Sequence, residues 1–214
     1  MRSRFDEQLA LLHRELIEMG ALCEEAISTV SRALSSGDAA LVKKVAPMDQ
    51  EIDRKEREIE SLCLKLLLLQ QPVARDLRQI SAALKMVTDM ERIGDQAEDI
   101  AEILPFVQGR SWENSPLMER MAHEAGAMVT SSVDAYVKGD LSIAQKVIED
   151  DDTVDGYFDQ VKSRLIDRIA ANPAEGEYAL DLLMIAKYFE RIADHAVNIA
   201  QWVIFSVTGE HKEG

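Results

Sequence analysis

Apolar residues recur along this chain at intervals of three and four, in long blocks divided by short polar breaks, which is the pattern of extended amphipathic helices. The first block runs from about Phe5 to Leu34 and stops at Ser35-Ser36-Gly37, leaving Asp38 to cap the next helix. Pro47 lacks an N–H and crowds the preceding turn, so it is expected to break or kink the helix that begins at Asp38 and to stand early in a new segment reaching Gln71. Pro72 then turns the chain into a third helix, Val73 to Val107, and the stretch from Gln108 to Pro116 reads as a linker. The pattern resumes with a helix to Val137, another from Asp140 to Ala171, a break at Asn172-Pro173-Ala174-Glu175-Gly176 and a last helix to Val207.

The second half restates the first. Glu91-Arg92-Ile93-Gly94-Asp95-Gln96-Ala97 and the Ile100-Ala101 after it return as Glu190-Arg191-Ile192-Ala193-Asp194-His195-Ala196 and Ile199-Ala200. In an independent stretch Gly37, Asp38, Lys44, Val45, Asp49 and Asp53 match Gly139, Asp140, Lys146, Val147, Asp151 and Asp155. Such a repeat predicts an all-α protein: a tandem repeat of two three-helix bundles packed side by side into one elongated body, with residues 1–108 and 116–208 as the bundles and 109–115 as the linker.

Composition supports helices packed through Leu, Ile, Val and Ala: 47% of residues are hydrophobic and only 5% aromatic. The formal charge of −15 repels nucleic-acid backbones and anionic lipid, and favours cations and basic protein patches as partners. The charged N-terminus has no apolar signal core and no run reaches the length of a membrane span, so no direct membrane insertion and a cytoplasmic location are expected. Cys23 and Cys63 lie far apart without metal-ligand spacing, as buried reduced thiols would.

On the third helix Ile80, Ala83, Val87, Met90, Ile93, Gly94, Ala97, Ala101 and Leu104 form one apolar arc, and Glu91, Asp95 and Asp99 climb its edge in i, i+4 steps. Gly94 and Ala97, echoed by Ala193 and Ala196, keep that side slim enough for close helix approach. If the neighbouring helix is the one bearing Asp49 and Asp53, several carboxylates converge, and each pair near 5 Å repels by roughly 3 kcal/mol at an effective dielectric of about 20. Bound cations, protonation of some carboxylates, or Arg92 or Arg75 reaching across each relieve this. Oxygen ligands suit hard cations such as Mg, Ca, Mn or Fe, and His195, which replaces Gln96, adds a candidate nitrogen ligand to the second copy. An isolated i, i+4 acidic pair is commonly only a solvated helix face; four pairs placed alike in two copies favour metal binding.

Other features carry less. His13, His123 and His211 are isolated and fit helix packing, while Arg92 and Arg191, about 100° from the adjacent glutamates, suit salt bridges to a neighbouring helix. Trp202-Val203-Ile204-Phe205 suits a core or dimer contact, and the nine Met residues suit core filling.

The turn Gln71-Pro72-Val73-Ala74-Arg75-Asp76-Leu77-Arg78 is similar to the Q-P-x-A-x-D-L-R turn of the PhoU family, and with the two E-R-I-x-D segments and the tandem three-helix pattern the chain resembles that family over essentially its full length. The resemblance implies E/D-x-x-x-D motifs holding multinuclear metal clusters on the bundle surface, here Glu91 with Asp95, Glu190 with Asp194, Asp49 with Asp53 and Asp151 with Asp155. It implies divalent or trivalent ions, with no preference between iron, zinc, manganese and magnesium. It implies a homodimer that restrains phosphate uptake and the phosphate-starvation response by contacting a sensor histidine kinase and the ATPase of the phosphate ABC transporter. The second copy departs at Asn172–Gly176, which lacks the turn motif, and at Asn198, which weakens the fifth ligand that Asp99 supplies in the first.

Three functional classes follow: a non-enzymatic regulator with a metal-loaded acidic surface, a carboxylate-bridged metalloenzyme or iron-storage bundle, and a metal-free helical adaptor. The second needs Glu-x-x-His pairs projecting into a bundle core, and none stands at the repeat positions. Phosphate loops, nucleophile–base pairs and dinucleotide fingerprints are absent from the sequence as well, which favours a protein that is not an enzyme.

Overall fold

Gly37 and Gly139 adopt φ of 67° and 64°, a left-handed conformation that glycine enters without a Cβ penalty, and each ends a helix. The Gly37 N–H bonds back to the Ala33 carbonyl at 2.9 Å and the Gly139 N–H to the Tyr136 carbonyl at 3.2 Å. The following aspartate starts the next helix: Asp38 Oδ1 accepts the Ala40 N–H at 2.8 Å, and Asp140 Oδ1 accepts those of Ser142 and Ile143 at 2.8 and 3.2 Å. The Gly-Asp signal therefore builds the same corner in both repeats.

In this computed structural model residues 2–70, 72, 74–107 and 115–210 are described. They form α1 (Arg2–Ser36), α2 (Ala39–Gln70), α3 (Ala74–Val107), α4 (Ser115–Lys138), α5 (Leu141–Ala171) and α6 (Gly176–Thr208), with a single 3-10 turn over Pro173–Glu175 and no strand among the described residues. The expected linker lies outside the described residues except for Ser115, which already belongs to α4, and so do Gln71, Val73 and His211. At about 1.5 Å per residue α4 is about 36 Å long and the other five helices about 45–55 Å.

One expectation is corrected. α2 runs unbroken through Pro47 from Ala39 to Gln70. Proline removes one rung of the hydrogen-bond ladder, but Val45 and Ile52 on either side are fully buried, and that packing holds the helical path across the gap.

The chain folds as two antiparallel three-helix bundles, α1–α3 and α4–α6, joined through α3 against α6 and α1 against α4. The predicted α3 arc is buried throughout, but the buried surface is wider: Ala82, Met86, Gln96, Ile100 and Val107 are covered too, because α3 packs on α1, α2 and α6 at once. Large side chains such as Leu12, Leu16, Met86 and Met90 are fully buried, each contributing about 1.5–3 kcal/mol of apolar transfer. Cys23 and Cys63 are free and buried; desolvation pushes both thiols up to about 12. Val203 enters the core, and beside it Trp202 and Phe205 stack edge to face at 5.7 Å. His13 likewise packs edge-on against Tyr136 at 5.5 Å.

Candidate functional site

A Cβ placed on Gly94 would stand 2.9 Å from Asp49 Oδ1 and 3.1 Å from Ile52 Cδ1, so the bare glycine is where the side chains of α2 pack tightly on α3. That approach brings the acidic edge of α2 against that of α3. Asp49 is 8% exposed and its Oδ1 is buried without a hydrogen bond. Burial, reinforced by Glu98, Asp53 and Asp95, pushes the Asp49 carboxyl up to about 7. Glu91 is raised by burial and by Asp95 and Asp53 against the relief of Arg92, and Glu56 is raised by burial and by Glu91, Glu60 and Asp53. Asp49, Asp53 and Glu56 of α2 thus face Glu91, Asp95 and Glu98 of α3 across one groove.

The α5/α6 groove repeats the arrangement. Burial, then Asp155, Asp194 and Glu190, push Asp151 up to about 6, and its Oδ1 is buried without a hydrogen bond. Burial and Glu190 raise both Asp155 and Asp194, opposed by Lys187. Among the described residues, the carboxylate oxygens buried without a hydrogen bond fall into repeat-related pairs: Asp49 Oδ1 with Asp151 Oδ1, and Glu91 Oε2 with Glu190 Oε2. Glu91 Oε2 faces Arg92 Nε at 3.4 Å and Glu190 Oε2 is paired with Lys187 Nζ, in both cases as ion pairs without hydrogen-bond alignment. Such buried, unsatisfied carboxylate oxygens fit hard cations. Among the described residues, no three His, Cys, Asp or Glu side chains are already gathered about one point as ion ligands. The resident cations hold that space: Arg92 Nη1 lies 2.8 Å from Asp95 Oδ2, and Arg57 Nη1 lies 3.7 Å from Asp53 Oδ2.

Several sequence-based placements change. Arg92 bridges carboxylates of its own helix rather than a neighbouring one, because Glu91 and Asp95 fall within its reach on the same turn. Arg75, near the start of α3, is roughly 24 Å from Glu91 along the helix and does not serve the cluster. Asp99 turns toward α6: a hydrogen bond from Tyr188 and the charge of Arg191 oppose the upward shift that burial, Glu102 and Asp95 impose on it. His195 Nδ1 is engaged by Asp89 of α3 at 2.9 Å, so the imidazole is held at the contact between α6 and α3.

Glu56 and Glu98 escaped the sequence reading because the repeat was its guide, and their counterparts are Phe158 and Val197. Helical spacing alone contains the signal, since each stands three residues beyond an identified aspartate, Asp53 or Asp95.

The PhoU domain model matches residues 16–104 and 118–203. A phosphate-specific transport system accessory protein PhoU homolog of Clostridium acetobutylicum is 33% identical over 214 residues, covering 99% of this chain and 98% of that protein. The Synechocystis homolog of the same description is 35% identical over 215 residues, with 99% and 94% covered. The crystal structure of PhoU from Pseudomonas aeruginosa superposes with a TM-score of 0.91 at 31% identity, covering 96% of this chain and all of that one. The phosphate transport system regulatory protein PhoU from Streptococcus pneumoniae gives 0.89 at 25% identity, with 98% and 99% covered.

Proposed function

The chain belongs to the PhoU family, and from that premise we propose that it is a non-enzymatic accessory protein of a phosphate transport system that restrains phosphate uptake and the phosphate-starvation response. It acts in the cytoplasm as a homodimer, docking on a sensor histidine kinase and on the ATPase subunit of the transporter. Two surface clusters of divalent or trivalent cations assist that docking, one held by Asp49, Asp53, Glu91 and Asp95 and the other by Asp151, Asp155, Glu190 and Asp194. The ions neutralise crowded carboxylates and leave open coordination positions at the surface; the protein supplies the oxygens and fixes their spacing.

The observation that carries this reading is the repeat-related pair Asp49 Oδ1 and Asp151 Oδ1, each buried without a hydrogen bond in its own helix groove, in a chain of net charge −15. Unsatisfied buried acceptors are costly, and the same cost recurring twice at matching positions points to a shared ligand. Among the described residues no helix is long and apolar enough to cross a membrane, in keeping with a peripheral accessory subunit.

The test is a pull-down of the kinase and the transporter ATPase at high and low phosphate, with a variant carrying D49N, E91Q, D151N and E190Q alongside, and elemental analysis of protein purified without chelator. Phosphate-dependent capture that the variant loses, together with bound metal, supports the reading. Capture with no metal makes the protein a metal-free adaptor, and no capture rejects the partner assignment.

A further inference from the structure

The two grooves are repeat-related but not equivalent. The α2/α3 groove gathers six carboxylates, Asp49, Asp53, Glu56, Glu91, Asp95 and Glu98, coupled to one another through their charges. In the α5/α6 groove Asp151, Asp155, Glu190 and Asp194 face one another, with Phe158 at the place of Glu56 and Val197 at that of Glu98, and Asp152 acts on them from the exposed side of α5. The substitution has a third part: Thr88 of α3 is matched by Lys187 of α6, whose Nζ pairs with Glu190 Oε2 and lies 5.6 Å above the Phe158 ring. An aromatic face in place of a carboxylate is a seat for an ammonium group. The aspartates also differ in depth, while Glu91 and Glu190 are both half-buried. Asp49 is buried and Asp53 and Asp95 are half-buried, whereas Asp151 is half-buried and Asp155 and Asp194 are exposed.

Resting on the metal-binding reading, we propose that the repeats hold unequal cation sites: an α2/α3 site that fills first, with Glu56 and Glu98 as further ligands, and a weaker α5/α6 site in which Lys187 is a tethered cation that the incoming ion must displace. More carboxylate charge in a less hydrated groove raises affinity for a hard cation, and a resident ammonium on Glu190 opposes it. Arg92 and Arg57 do not equalise the two sites, since they offset two charges among six while Lys187 offsets one among four, which leaves four carboxylate charges in the first groove against three in the second.

The experiment is a titration of the full chain, stripped with chelator, with Mn2+ followed by the paramagnetic resonance signal of the free ion, and circular dichroism to verify folding. Wild type is expected to show two classes of sites separated by about tenfold or more in affinity. K187M tightens the weaker class by about tenfold, and E56Q with E98Q weakens the tighter class by about as much. T88K places an ammonium at the first groove and lowers its affinity in the same direction. Mn2+ binding in a single class that neither K187M nor the double glutamine variant moves overturns this proposal and leaves the metal reading standing. Absence of any Mn2+ binding by the folded wild type removes both.

Discussion

His195 Nδ1 lies 2.9 Å from Asp89 Oδ1 across the seam between α6 and α3, and Asn198 Nδ2 donates to the same oxygen at 3.2 Å. The repeat partner of Asp89 is Tyr188, and that of Asn198 is Asp99; these two are themselves hydrogen-bonded on the other side of the seam. The seam thus has a pseudo-two-fold relation in which an acid on one helix meets a donor on the other, twice, with the chemical roles exchanged. Arg78 Nε, reaching the Ser206 carbonyl at 3.5 Å farther along, fixes the same antiparallel register.

Replacing Asp89 with Ala leaves His195 and Asn198 without their shared acceptor on a half-buried seam. The expected loss is about 1–2 kcal/mol, read as a lower urea midpoint with an unchanged slope. The H195Q variant, which restores the residue of the first repeat and keeps a donor, should lose less.

Asp99 belongs to the seam and Glu98 to the groove, although both lie on the polar edge of α3. D99N is expected to leave metal content unchanged on elemental analysis, and E98Q to lower it. Equal losses in the two variants would return Asp99 to the ligand set.

Gly94→Ala puts a methyl group 2.9 Å from Asp49 Oδ1 and against the buried Ile52 side chain, so both must shift to admit it. Destabilisation of about 1–3 kcal/mol is expected on thermal denaturation, together with weaker metal binding at the first groove only. The second repeat already carries Ala193 at this position, so A193G should leave metal binding at the second groove intact.

Stability of the metal-free protein should fall as pH rises. Asp49 and Asp151, raised to about 7 and about 6, hold their protons more tightly folded than unfolded. Between about pH 4 and pH 7 the native state therefore binds more protons, and ΔG of unfolding declines with pH, the contribution being complete below about pH 4 and lost above about pH 7. Melting temperatures taken across this range in chelator check the sign; D49N, which mimics the protonated carboxyl, should flatten the upper part of the decline. Added divalent metal should recover stability at the alkaline end.

The legible part of the candidate site was its repeated part. Asp49, Asp53, Glu91, Asp95 and their four counterparts could be found because helical spacing and internal repetition are linear properties, and Gly94 was readable as a point of close approach for the same reason. The break expected at Pro47 does not occur, because the core contacts of Val45 and Ile52 outweigh the local propensity and carry α2 through it.

The sequence by itself determined the six helices, their Gly-Asp corners and the duplication, since apolar period, capping chemistry and repetition each act over a few turns of one chain. Only the tertiary structure decided that Asp99 joins Tyr188 while Glu98 joins Asp49, that His195 is taken by Asp89, and that Lys187 rests on Phe158 beside Glu190. Residues one position apart on a helix differ by about 100° in direction, and which neighbour each meets depends on the rotation and approach of a partner helix many residues away.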